Sequence, residues 1–133
     1  AASLAPRLPL IAGGRSFGGR MTSLAASQAP LPGVKALVFF GFPLHPAGAP
    51  ATDRAEHLKQ VTVPMLFLQG ANDALATLDL LTPVVKRLGK RATLHVVDHA
   101  DHSFHVPKRS GTTDEQVLET LARIVRDFAA VLR

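Results

Sequence analysis

Residues 10–21 read LIAGGRSFGGRM: an apolar run, four glycines around Ser16, then a helix-like pattern. Two arrangements place glycines this densely between a strand and a helix. One is a loop that cradles a phosphate. The other is a sharp turn that presents a nucleophile. A P-loop needs Lys and then Ser or Thr after its last glycine, whereas Gly19 is followed by Arg20 and Met21. A dinucleotide fingerprint needs G-x-G-x-x-G and an acid at the end of the next strand. Here the spacing is G-G-R-S-F-G-G, and the next apolar run ends in Phe39, Phe40 and Gly41. The pattern that fits is G-x-S-x-G, as Gly14-Arg15-Ser16-Phe17-Gly18. Its glycines remove Cβ atoms from a strained strand-to-helix turn. Such a turn projects the Ser16 hydroxyl above the sheet, and the Phe17 N–H at the helix start faces a developing oxyanion. The simpler alternative is a tight turn with a capping serine.

Working outward, the pattern predicts a strand at Pro9–Ala12 and a helix at Phe17–Gln28, ended by APLPG. VKALVFF (Val34–Phe40) is a strand apolar almost throughout, as in a parallel sheet covered on both faces. A Pro/Gly-rich loop, Gly41–Asp53, leads to a short helix through Gln60 with Asp53 as its candidate cap. PMLFL (Pro64–Leu68) is a third strand, Leu75–Leu88 a helix stopped by Gly89, and Ala92–Val97 a fourth strand. Thr113 or Asp114 caps a last helix, Glu115–Leu132. Strand and helix therefore alternate, which implies a parallel α/β sheet with helices on both faces. In such sheets chemistry gathers beyond the carboxyl ends of the strands. The loops there hold Ser16, Asp73 (in LQGANDAL) and His102 (in DHADHSFH).

That order, serine then acid then histidine, is the one a nucleophile elbow requires. A serine hydroxyl attacks only when a base takes its proton, and the base needs an acid to fix its tautomer. Each residue also has a plainer role. Asp73 could cap the helix starting near Leu75, and His102 shares its loop with His99 and His105. A metal cluster of His99, Asp101, His102 and His105 is a weaker alternative; no metal is expected.

Composition sets bounds. The chain has 133 residues, 47% of them hydrophobic, which suits one domain with a real core. No apolar run approaches the roughly 18 residues of a membrane span, and residues 1–10 make a poor secretory signal. The absence of cysteine excludes disulfides and thiolate chemistry and suits a cytoplasmic protein. The net charge of +5 comes from dispersed basic residues, and there is no Tyr or Trp to stack on bases. Neither nucleic acid nor membrane is an expected partner.

GGRSFGGRM, LQGANDAL and DHSFHVPKR together resemble the α/β-hydrolase superfamily. More narrowly, they are similar to small bacterial hydrolases that group with dienelactone hydrolase, relatives of testis-expressed proteins and a histone acetyltransferase complex subunit. The resemblance implies a serine hydrolase acting on a carboxylic ester or related acyl bond. Ser16 is then the nucleophile, Asp73 the acid and His102 the base, with the Phe17 N–H in the oxyanion hole and no cofactor. Dienelactone hydrolase itself uses cysteine, so its substrate is not implied. Arg15, Phe42 and Pro43 are expected at the pocket for a small-molecule acyl substrate. In the family the serine follows the fifth strand of an eight-stranded sheet, and here it follows the first. The chain, residues 1–133, therefore resembles the C-terminal portion of one α/β-hydrolase domain that lacks its N-terminal strands. A second copy or an N-terminal segment is expected to cover the bare edge at Pro9–Ala12. The alternative function is a non-catalytic binding or scaffold module on the same fold.

Overall fold

The computed structural model describes residues 10–132. Pro9 of the first predicted strand, and the stretch before it, lie outside the described residues. Four parallel strands form one sheet in the order β1-β2-β3-β4, with β1 Leu10–Arg15, β2 Val34–Phe40, β3 Met65–Gly70 and β4 Ala92–Val97. Among the described residues three α-helices accompany them: α1 Phe17–Gln28, α2 Leu78–Leu88 and α3 Asp114–Ala130. A 3-10 segment, Asp53–Gln60, joins β2 to β3.

Each new strand is added on the same side of the last. Right-handed crossovers then put every connecting helix on one face. The helix after the last strand is left to cover the other face. The alternation of side chains along the strands shows the result. Leu37, Phe39, Met65 and Phe67 pack with Leu58 of the 3-10 segment and with Leu81, Val84 and Val85 of α2. Their neighbours Val38, Leu66 and Leu68 point the other way, onto Val117 and Leu121 of α3. Phe39, Phe42 and Phe67 form an aromatic centre with ring centroids 4.8–5.9 Å apart. Each of these rings is at most 1% exposed, so truncating one to alanine should cost about 3–5 kcal/mol.

Several boundaries differ from the sequence expectation. β1 runs on through Gly13 and Gly14 to Arg15 instead of ending at Ala12. Gly13 is a strand glycine because a Cβ there would lie 2.0 Å from the Val38 carbonyl oxygen on β2. β3 likewise includes Gln69 and Gly70. α2 starts at Leu78, after Thr77, because the preceding residues form a turn around Asp73. Asp53 lies in the first turn of its segment and the N-cap position is Thr52. α3 starts with a full capping box: the Thr113 hydroxyl accepts from Gln116 N–H, and the Gln116 side chain accepts from Thr113 N–H. Among the described residues no helix is long and apolar enough to cross a membrane.

Candidate active site

Ser16 stands between β1 and α1 with φ 52° and ψ −119°, a left-handed conformation rare for a residue with a Cβ. Its N–H donates to the Phe40 carbonyl of β2, and its carbonyl accepts from Arg20 N–H one turn into α1. The turn closes because glycines meet across it. A Cβ on Gly14 would lie 2.8 Å from Gly19 N, and one on Gly19 would lie 2.7 Å from the Gly14 oxygen. Gly18, the second glycine of the pentapeptide, has nothing within 4 Å of its Cβ position. The close approach thus belongs to Gly14 and Gly19, which corrects the expectation drawn from the motif's spacing.

Asp73 follows β3 and is 3% exposed. Its Oδ1 accepts from Leu75 N–H at 2.8 Å. Its Oδ2 accepts from His102 Nδ1 at 2.7 Å and from Gln69 Nε2 at 2.5 Å. It therefore shapes the turn, as the plainer expectation had it, and also engages the histidine. His102 follows β4, and its Nε2 lies 2.7 Å from Ser16 Oγ. A carboxylate only accepts, so the Asp73 contact puts the imidazole proton on Nδ1. Nε2 is then bare, and the Ser16 hydroxyl donates to it. Ser16, His102 and Asp73 thus form one continuous chain of hydrogen bonds, the arrangement that activates a serine hydroxyl.

Three contacts that the sequence reading missed set this geometry. Gly41, just after β2, has φ +74°, and a Cβ there would lie 3.3 Å from both Nδ1 and Cε1 of His102. Gly70 lets the His102 loop cross, since its Cβ would lie 2.4 Å from the Asp101 oxygen. His45, 1% exposed, accepts from Thr77 N–H through Nε2, and its own backbone N–H donates to Leu75 O. It ties the loop after β2 to the turn that holds Asp73.

The other histidines have separate partners. His105 binds Asp114 at the start of α3, 2.6 Å away, and this partner raises its pKa from 6.5. Asp101 accepts from the N–H groups of Ser103 and His105, so it organises the loop backbone. Among the described residues no three His, Cys, Asp or Glu side chains converge as a metal site.

A second serine–histidine pair exists, Ser23 Oγ to His57 Nε2 at 2.6 Å. Ser23 is 0% exposed and its hydroxyl donates to the Arg20 carbonyl, so His57 must be the donor between them. Burial, then the nearby Arg20, lowers the His57 pKa. This pair has the opposite polarity to Ser16–His102 and fastens α1 to the 3-10 segment.

Of the residues expected at the pocket, Arg15 is exposed and borders an open groove of about 470 Å³ with Phe40, Ser103, Phe104 and the apolar side of α3. Phe42 and Pro43 do not border open space. Both are buried, with the Phe42 ring packed edge-on against Phe39.

The fold is shared with solved hydrolases. An alpha-beta serine hydrolase homologue from Coxiella burnetii superposes with a TM-score of 0.67 at 20% identity, covering 96% of this chain and 53% of the other. The esterase domain of a Rhodothermus marinus protein gives 0.60 at 16%, covering 87% and 57%. A putative dienelactone hydrolase from Klebsiella pneumoniae gives 0.59 at 24%, covering 88% and 50%. The chain thus spans about half the length of these structures. Residues 1–130 match the family described as alpha/beta hydrolase domain, and the chain belongs to that family.

Proposed function

We propose that the chain carries the nucleophile, acid and base of a serine hydrolase that cleaves a carboxylic ester or related acyl bond. The observation that carries this reading is the unbroken hydrogen-bond chain from Ser16 Oγ through His102 to the buried carboxylate of Asp73. As Ser16 Oγ attacks the substrate carbonyl carbon, His102 Nε2 takes its proton. Asp73 holds the Nδ1 proton and offsets the imidazolium charge. The carbonyl electron pair moves onto oxygen, which the Phe17 N–H stabilises; removing one such donor typically costs about 3 kcal/mol. Collapse expels the alcohol, which leaves with the His102 proton, and an acyl-serine remains. Water then attacks, His102 again serving as base, and the acid departs from a regenerated Ser16. No cofactor enters these steps.

The esterase domain among the similar structures favours an ester as the acyl compound. A cytoplasmic site of action belongs to the same proposal, on the cysteine-free composition. So does an N-terminal segment or second copy along β1, which is an edge strand of the described sheet. Its support is that the similar structures are about twice as long.

The test is labelling by a fluorophosphonate probe with the adduct mapped by mass spectrometry. The adduct should sit on Ser16 and vanish in Ser16→Ala and His102→Ala. His99→Ala and His105→Ala should retain most of it. A folded chain that stays unlabelled, alone and when extended at its N-terminus, would instead be a non-catalytic module.

A further inference from the structure

Gln69 is the polar side chain of β3 in MLFLQG, a strand buried along its whole length. It is 0% exposed and uses both ends of its amide. Oε1 accepts from Phe42 N–H at 3.2 Å, and Nε2 donates to Asp73 Oδ2 at 2.5 Å. The orientation of this amide is dictated by its partners. A backbone N–H only donates and a carboxylate only accepts, so the flipped amide would set donor against donor and oxygen against oxygen.

Asp73 Oδ2 therefore carries two donors, from Gln69 and His102, while Oδ1 carries Leu75 N–H. In so dry a site these donors take the place of water. The terminal torsion of an aspartate is broad, so the Leu75 contact alone leaves the carboxylate plane poorly fixed. Gln69 supplies the second anchor. Its other end grips the backbone next to Gly41, where an added Cβ would lie 3.3 Å from the His102 ring. One side chain thus sets the acid and also the loop on which the histidine rests.

We propose that Gln69 is a positioning residue for the reaction. It locks the Asp73 carboxylate with Oδ2 facing His102 Nδ1, and so keeps His102 in the tautomer whose bare Nε2 meets Ser16. This rests on the serine-hydrolase reading above. A role confined to satisfying Phe42 N–H would lower stability and leave the tautomer untouched.

The experiment uses the ¹⁵N-labelled 133-residue chain. In the wild type, the Gln69 side-chain amide protons should exchange slowly with water. They should also show a nuclear Overhauser effect to the His102 Nδ1 proton, since both approach one oxygen. Gln69→Met keeps the volume and removes the amide. Its neutral His102 should populate both tautomers, and fluorophosphonate labelling of Ser16 should slow about tenfold to hundredfold, the range typical of lost supporting contacts. A folded Gln69→Met chain with the wild-type tautomer and labelling rate would overturn the proposal. Should that variant not fold, the wild-type spectra decide: a rapidly exchanging Gln69 amide without the Overhauser effect is equally fatal. The underlying reading fails separately. If Asp73→Asn leaves the His102 tautomer and Ser16 labelling unchanged, the triad itself is wrong, whatever Gln69 does.

Discussion

Replacing Gly41 by alanine isolates the contact that seats His102. The added Cβ would stand 3.2 Å from the His102 carbonyl oxygen and 3.3 Å from two atoms of its ring. Gly41 cannot easily retreat, because its N–H donates to Leu68 O at 2.9 Å. The imidazole must therefore yield by a few tenths of an ångström, while both its nitrogens are held by bonds of 2.7 Å. Two costs follow. A side chain at φ +74° costs about 1–2 kcal/mol of stability. Displacing the base of the proposed reaction by part of an ångström costs roughly tenfold to a hundredfold in rate. Gly48→Ala separates them, since Gly48 has φ +76° and nothing within 4 Å of its Cβ position. Denaturant unfolding should show similar stability losses for the two variants. Fluorophosphonate labelling of Ser16 should slow only in Gly41→Ala. Equal stability losses with wild-type labelling in both would show that His102 does not depend on this glycine.

The two glycines after Ser16 should respond oppositely to alanine. Gly18→Ala, with open space at helix position two, should raise stability by about 0.5–1 kcal/mol, and Gly19→Ala should lower it, because its Cβ meets the Gly14 backbone oxygen at 2.7 Å. Thermal melts that move the same way would refute this account of the turn. The His105–Asp114 clip should stabilise the fold over a limited pH range. His105 is raised by its hydrogen bond to Asp114, so its contribution is complete below 6.5 and is lost as pH rises through the raised value. Asp114 is lowered, first by the Val106 N–H and then by His105, so its contribution is present above 3.8 and is lost as pH falls through the lowered value. The melting-temperature gap between wild type and His105→Gln should be widest between 3.8 and 6.5 and close in alkali. A gap constant with pH would exclude the clip.

The alternation of strands and helices was legible because it is written in local periodicity, and the order of the strands then follows from handed crossovers. Ser16, Asp73 and His102 were legible for the same reason. Each lies just past a strand end, and a parallel sheet gathers those ends along one edge, where the three meet in one chain of hydrogen bonds. Less was legible where a residue's role depends on a distant neighbour. Gly13 looked like a stop because glycine usually punctuates a strand. Its actual role is the close passage of Val38, on the neighbouring strand. Phe42 looked like a pocket wall because it sits in a proline-rich loop, yet the aromatic cluster with Phe39 and Phe67 draws it into the core.

Gln69 did leave a signal. A polar residue in a strand buried on both faces needs partners, and those partners must lie where the strand ends. Gly41 left a fainter one, a glycine directly after a strand, in the row that presents the other site residues. Both contacts bind β2 and β3 where the sheet meets the site, whereas Ser16 and His102 belong to the strands on either side, β1 and β4. Ser16 and His102 can meet because Gly41, just after β2, and Gly70, the last residue of β3, leave the space for the His102 loop to fold over. Side chains at those two positions would push the loop away even with Ser16, Asp73 and His102 intact. The geometry of the Ser16–His102–Asp73 chain is therefore set as much by what the central strands omit as by what the outer ones present.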